Sequence, residues 1–258
     1  LLLDVGVILR ELLQRAIAAY RRQTHAAREL VILHDGDAEF DTQVRALAQG
    51  DASISVYAAE PATLGSLRNH SVALARGELI CQWDDDDRYH PQRLELQLAA
   101  LQKEQADFCF LQDQLHWFAA SGELSWDDWN RDSYPLNFIQ GSLLGRRALM
   151  PQYPELRRGE DTVLCQDILR AGHRVARLRG QGWCYVYVYH GLNVFEAAHH
   201  AAITRAKNLA PALMLGREKL LRQRLAEYAP PLPRAVYQGP GVMLDFSAAS
   251  TSGSSSNE

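Results

Sequence analysis

Four consecutive carboxylates, Asp84-Asp85-Asp86-Asp87, stand at the end of the apolar run Leu79-Ile80-Cys81. Adjacent like charges repel, and none tolerates burial without a partner. A solvated loop meets that constraint most simply, because charge blocks usually sit in water. A strand of a buried sheet meets it another way, by delivering the carboxylates to its C-terminal end, where a divalent cation neutralises them. Ligands of open α/β sheets bind at that end of the strands. Hard cations such as Mg²⁺ or Mn²⁺ take oxygen ligands and share them with substrate phosphates. A second acidic pair, Glu160-Asp161, precedes a helical segment. A helix N-terminus favours a carboxylate there, and Asp is also an ordinary N-cap.

The elements that position these acids alternate along the chain. Leu13, Ala16, Ile17 and Tyr20 recur at helical spacing and predict a helix over 10–22. Residues 29–34 read as a buried strand, followed by the turn Asp35-Gly36-Asp37. A helix over 41–48 stops at Gly50, and a strand covers 53–57. The next helix starts near Pro61 and carries Leu64, Leu67, Ser71 and Leu74 on one face. After the tetrad, Pro91 opens a helix reaching about residue 105. Residues 107–118 read as one strand, and Ala120-Ser121-Gly122-Glu123 as the turn of a hairpin into Leu124. Segment 126–134 has no period and reads as a loop. Trp117, Trp126 and Trp129 suit either a sugar face or a core, and the core takes at least two of them. Residues 138–144 read as a strand containing Gly141-Ser142, where a glycine marks a close approach. A helix over 146–150 ends before Pro151, and another runs over 162–170 to its stop at Gly172. Strands follow over 174–178 and 185–189, then helices over 196–209 and 213–228, ended by Pro230-Pro231-Leu232-Pro233. The Ser-rich segment 247–258 is expected to be disordered.

The 258 residues suffice for one extensive core, and 47% hydrophobic with 22% charged residues is ordinary for a globular chain. A formal net charge of -4 with no basic stripe gives no footprint for nucleic acid. The four cysteines lack CxxC spacing and read as thiols of a reducing, cytoplasmic compartment. No apolar run approaches the roughly 20 residues that span a bilayer, although peripheral contact with the inner membrane face is compatible with the sequence.

Residues 68–80, from Arg68-Asn69 through Gly77-Glu78 into the apolar run, lead directly to the tetrad, and Pro91, Arg93-Leu94 and Gln97 follow it. With the later block Arg158-Gly159-Glu160-Asp161 and Ala171-Gly172-His173-Arg174-Val175, this resembles the family 2 glycosyltransferases over roughly residues 10–195. The resemblance implies an α/β GT-A fold: a Rossmann-like, mixed, mostly parallel sheet flanked by helices. The chain then divides into a GT-A domain over 1–195, a helical C-terminal extension over 196–246 and the tail. The implied activity is inverting transfer of a sugar from a nucleotide diphosphate, a UDP-sugar above all, to a saccharide or other hydroxyl acceptor. The implied cofactor is Mn²⁺ or Mg²⁺. In an Asp-x-Asp motif of this kind Asp86 ligates the metal, with Asp84 and Asp85 on the ribose and around the metal, Asp84 being a second candidate ligand. Asp87 is a bystander. His190 completes the metal site, unless it is a surface residue after its strand. Asp161 is the general base and Glu160 contacts the acceptor or orients the base. Asp35, the retained acid of an Asp-Asp-Gly motif whose first acid is replaced by His34, meets the nucleotide base. Arg68 and Asn69 face the nucleotide, and Gly141-Ser142 lies on the acceptor side. A nucleotidyltransferase or an inactive sugar-nucleotide-binding member would share the fold and the acidic motif.

The chain departs from that family at its start. Val5-Gly6-Val7-Ile8 suits the first strand, but Leu9-Arg10-Glu11 leads straight into a helix, without the Pro, Tyr and Asn of the loop that wraps the base. That loop is deleted or encoded upstream, and weak donor binding with little base discrimination is expected.

Overall fold

The structure, a computed structural model, describes residues 5–156 and 158–247. Apart from Ser247, the segment expected to be disordered lies outside the described residues. The first described element is α1 (Val5–Arg21), which buries Leu12, Leu13, Ala16, Ile17 and Tyr20 as one stripe. The strand expected at Val5–Ile8 is instead the start of this helix, since no turn residue separates it from the helix-forming run that follows. β1 (Leu30–His34), α2 (Ala38–Ala48) and β2 (Ile54–Ala58) form a βαβ unit with β1 and β2 parallel. The Asp37 carboxylate accepts from the Phe40 N–H at 2.9 Å, so the Asp-Gly-Asp turn also caps α2. α3 (Leu64–Leu74) begins later than Pro61, because Thr63 supplies a capping oxygen to the Ser66 N–H.

β3 (Leu79–Cys81), β4 (Arg88–Tyr89), α4 (Arg93–Lys103), β5 (Phe108–Leu111) and β6 (Asp113–Phe118) come next. The single strand expected over 107–118 breaks at Gln112, and its halves enter different sheets. Gln112 turns the chain: its N–H donates to Leu178, its carbonyl accepts from Trp129, and its amide donates to Asn137. The expected hairpin is present between β6 and β7 (Glu123–Asp128). β7 runs further than expected because Asp127 and Asp128 pair with Gln114 and Asp113. β8 (Leu144–Arg146), α5 (Glu160–Arg170), β9 (Val175–Leu178) and β10 (Tyr185–Tyr189) complete the central part. Within the expected strand over 138–144, Gln140–Ser142 is a 3-10 turn, and the expected helix over 146–150 is another, Arg147–Leu149.

Two further helices, α6 (Ala197–Lys207) and α7 (Pro211–Ala226), lead to β11 (Val236–Gly239) and β12 (Val242–Asp245). The C-terminal extension is therefore not purely helical. Its Gly-Pro-Gly turn between two short apolar runs is a hairpin signal, and β11 joins the edge of β7. Met214, Leu221 and Leu225 of α7 share a core with Leu115, Trp126 and Val186 of the sheet.

The strands form a pair β1-β2, a four-stranded sheet β3-β8-β5-β9 and a six-stranded sheet β12-β11-β7-β6-β10-β4, the larger two mixed in direction. The tetrad occupies the step from β3 in one sheet to β4 in the other. Arg93, fully buried below it, donates to the Gln82 carbonyl at 3.0 Å and to Gln97 at 3.1 Å, while Gln97 donates to the Ser142 carbonyl at 2.7 Å.

α3 lies against the loop that leads to α5. A Cβ on Gly65 would overlap the carbonyl oxygen of Pro154. Gly65→Ala is predicted to lower stability by about 1–3 kcal/mol, as overpacking does. An unchanged denaturation midpoint would show that this contact yields freely.

Candidate active site

The four adjacent acids have four different environments, which is how the chain accommodates their repulsion. Asp84 accepts from Arg68 Nη2 at 3.1 Å and from Gln82 Nε2 at 3.2 and 3.0 Å. Asp85 is exposed. Asp86 Oδ2 lies 3.2 Å from His190 Nε2 and 3.4 Å from Asn193 Nδ2. Asp87 is buried; the Tyr185 hydroxyl donates to one of its oxygens and the Val188 N–H to the other at 2.9 Å. Burial pushes the Asp87 carboxyl well above the usual carboxylate range, and the charges of Asp86 and Asp84 add to the rise. Asp87 thus fastens β10 to the tetrad.

Arg68, on α3, reaches Asp84 with one guanidinium nitrogen and Glu160 with the other. Glu160 is buried, and its Oε2 has no hydrogen-bond partner. Burial raises the pKa of this carboxyl, and the Arg68 charge opposes the rise. Gly159, at φ 76°, takes the left-handed conformation that turns the chain into α5. The Asp161 carboxylate accepts from the Thr162 N–H at 2.7 Å, and the Thr162 hydroxyl donates to Gln140 at 2.7 Å. Both acidic motifs line one cavity of about 720 Å³.

Arg68, Asp84, Asp85, Asp86, Gly141, Glu160 and Asp161 all line that cavity. His190 meets Asp86 beside it. The structure does not bring the remaining expected residues to it. Asn69 is taken up by backbone: its amide donates to the Tyr153 carbonyl at 2.8 Å and accepts from the Tyr153 N–H at 2.8 Å. Ser142 is fully buried, donating to the Ile139 carbonyl at 2.6 Å and accepting from the Leu111 N–H at 2.8 Å. A hydroxyl on a small residue closes such turns readily, so Ser142 belongs to the scaffold and not to an acceptor wall. Asp35 is exposed beyond β1 and is not part of the cavity lining. His34 is buried against Asp41 at 3.1 Å. Tyr185 and Tyr187, which also line the cavity, were missing from the sequence-derived set. Their signal was the Tyr-Val-Tyr-Val-Tyr alternation, which puts the tyrosines on one face of β10. Trp117 and Trp126 are core residues, and only Trp129 of the three reaches the cavity.

Two side chains of the site, Asp86 and His190, offer donors that a small hard cation would share with water and substrate oxygens. Asp86 and His190 converge, whereas Asp84 is turned to Arg68 and Gln82. Among the described residues no three His, Cys, Asp or Glu side chains form a complete cage. Mg²⁺-like ions need none, because water and substrate phosphates fill most of their positions. The four cysteines are free thiols, three of them buried. Among the described residues no helix is long and apolar enough to cross a membrane.

Glycosyl transferase family 2 is the family whose model matches this chain, over residues 10–144. Among solved structures, S. aureus TarS 1-349 in complex with UDP-GlcNAc is similar, with 15% identity, a TM-score of 0.52, and coverage of 81% of this chain and 61% of that one. The same fragment in complex with UDP gives 15% identity, a TM-score of 0.54, and coverage of 84% and 68%. S. aureus TarS itself gives 14%, 0.53, 86% and 47%, so this chain spans under half of that chain's length. At such identity the likeness concerns the fold. No curated protein matches the chain.

Asn69 is a scaffold residue on this geometry. Asn69→Ala leaves the Tyr153 N–H and carbonyl without partners and is predicted to cost about 1–3 kcal/mol of stability, the range for an orphaned buried polar group. A stability loss below about 0.5 kcal/mol in urea unfolding would contradict that assignment.

Proposed function

The chain belongs to glycosyl transferase family 2, and on that premise we propose that it transfers a sugar from a nucleoside diphosphate donor to an acceptor hydroxyl, with inversion and with Mn²⁺ or Mg²⁺ at Asp86 and His190. The observation that carries the proposal is the Arg68 guanidinium joining Asp84 of the tetrad to Glu160 beside Asp161 in one cavity. The fold-level likeness to TarS, whose structures contain UDP-GlcNAc and UDP, supports a UDP-sugar as donor.

The division of labour follows from the chemistry. In an inverting displacement the acceptor oxygen bonds to the anomeric carbon as the bond from that carbon to the diphosphate breaks, and the diphosphate leaves with the electron pair. The cation, when bound, stabilises the charge growing on that diphosphate. Arg68 holds Asp84 and Glu160 in fixed positions, so neither needs to reorganise during the reaction. Asp161, at the α5 N-terminus and lining the cavity, takes the acceptor proton. Glu160 contributes by its unpartnered Oε2, an acceptor free to hold an acceptor hydroxyl in place.

Two substitutions separate these roles. Asp86→Ala is predicted to abolish Mn²⁺-dependent binding of UDP, and equal calorimetric affinity in variant and parent would refute the metal assignment. Asp161→Asn is predicted to retain UDP binding while transfer falls by about 10²- to 10⁴-fold, the usual worth of a positioned base. Transfer at the parent rate would reduce Asp161 to a local cap.

A further inference from the structure

The cavity continues beyond the two acidic motifs along β6, β10 and α6, and its far wall holds polar groups that no part of the proposed transfer uses. His116 is 1% exposed, and its Nδ1 lies 3.0 Å from Oδ2 of the fully buried Asp127. The other Asp127 oxygen accepts from the Ser125 hydroxyl at 3.0 Å, and Thr204 Oγ1 lies 3.3 Å from His116 Nδ1. A carboxylate only accepts, so Asp127 keeps a proton on Nδ1 and leaves Nε2 on the other side of the ring. That Nε2 has no partner. Neither has Gln114 Oε1, Trp129 Nε1 or either ring nitrogen of His200. Gln114 and His200 are 4% and 2% exposed, and all four residues line the same cavity.

Several unpaired polar atoms on one wall are costly unless something arrives to pair them. Gln114 and His116 lie on one face of β6, and His116 is in register with Tyr187 of β10. The Tyr187 ring meets His116 edge-on at 5.1 Å and stacks on His200 at 5.4 Å. We propose that Gln114, His116, Trp129 and His200 form a subsite for a neutral polyhydroxyl group, a saccharide, on the acceptor side of the cavity. This rests on the glycosyl-transfer reading above.

The chemistry of the wall selects that class. Aromatic edges beside unpaired neutral donors and acceptors match hydroxyls, each of which both donates and accepts. Gln114 Oε1 is an acceptor only and does not pair with an anion. Of the cations lining the cavity, Lys207 is paired with Asp132, Arg68 with Asp84 and Glu160, and Arg158 lies over the Phe195 ring. Burial, with His116 and His199 nearby, pulls the His200 pKa down to about 4, so the His200 ring is neutral at pH 7. Tyr187 stands two residues beyond Tyr185, the partner of Asp87. It is also next to Val188, whose N–H meets Asp87 at 2.9 Å, so this wall adjoins the tetrad directly.

The test is calorimetric titration of the full chain, saturated with UDP and Mn²⁺, with methyl β-D-glucopyranoside, methyl β-D-galactopyranoside and methyl N-acetyl-β-D-glucosaminide. At least one glycoside is expected to bind the parent and to bind about tenfold more weakly to Gln114→Leu and to His116→Phe, the scale of one lost hydrogen bond. UDP affinity of both variants is expected to stay at the parent value, which also verifies that they fold. Gln114→Leu decides the matter if His116→Phe, which strands Asp127, does not fold. No glycoside binding to the parent, unchanged glycoside affinity in Gln114→Leu, or binding of inorganic phosphate in place of glycosides overturns the subsite. A parent that binds a glycoside through Gln114 but no UDP supports the subsite and removes the donor reading alone.

Discussion

One half-buried guanidinium is the constraint on which the site depends. Arg68 is the cation that reaches both Asp84, at the end of β3, and Glu160, at the start of α5, two positions 76 residues apart in sequence. Without it, Glu160 would be a buried carboxylate with no partner, an arrangement that costs several kcal/mol. Pairing Arg68 with two acids leaves the cluster locally negative, which suits the arrival of a divalent cation beside Asp86. The helix that carries Arg68 is itself fixed by Asn69 on the Tyr153 backbone and by the close approach at Gly65. Charge placement and packing are therefore one problem here, solved on one turn of α3.

The tetrad shows the same economy. It spans the crossing between the two larger sheets, so its backbone must leave one core and enter another. Asp87 enters the core with two donors, Asp84 meets Arg68, and Asp86 and Asp85 remain toward solvent. Arg93 lies beneath, over the rings of Tyr89 and Tyr185 at 4.4 and 5.0 Å, and holds the Gln82 carbonyl. A run of four like charges becomes tolerable because each acid faces a different medium.

Much of this was legible in the sequence, and the limits have physical causes. The alternation of helices and strands, the acidic run after β3 and the acidic pair opening α5 are local signals, and the structure follows them. Arg68 was singled out, but its bridging of the two motifs is a contact between distant segments that periodicity cannot express. Ser142 and Asn69 look like ligand-facing polar residues in sequence, yet each is consumed by nearby backbone. The break at Gln112 was hidden because both halves of 107–118 are apolar enough for one strand, and only tertiary pairing sends them to different sheets. Residues 5–8 are helical where the sequence suggests a strand, because an apolar run of four residues carries too little periodicity to tell the two apart. The His116–Asp127 pair escaped notice because register across a hairpin, not spacing along the chain, brings the two together.

The central claim is that the cavity between the tetrad and Glu160-Asp161 is where donor and cation meet. Anomalous diffraction from a crystal of the full chain with Mn²⁺ and UDP tests it most directly. The account predicts an anomalous peak at Asp86 with the diphosphate of UDP beside it in the cavity lined by Arg68. UDP bound elsewhere on the chain, or in the cavity with no manganese at Asp86, would contradict it.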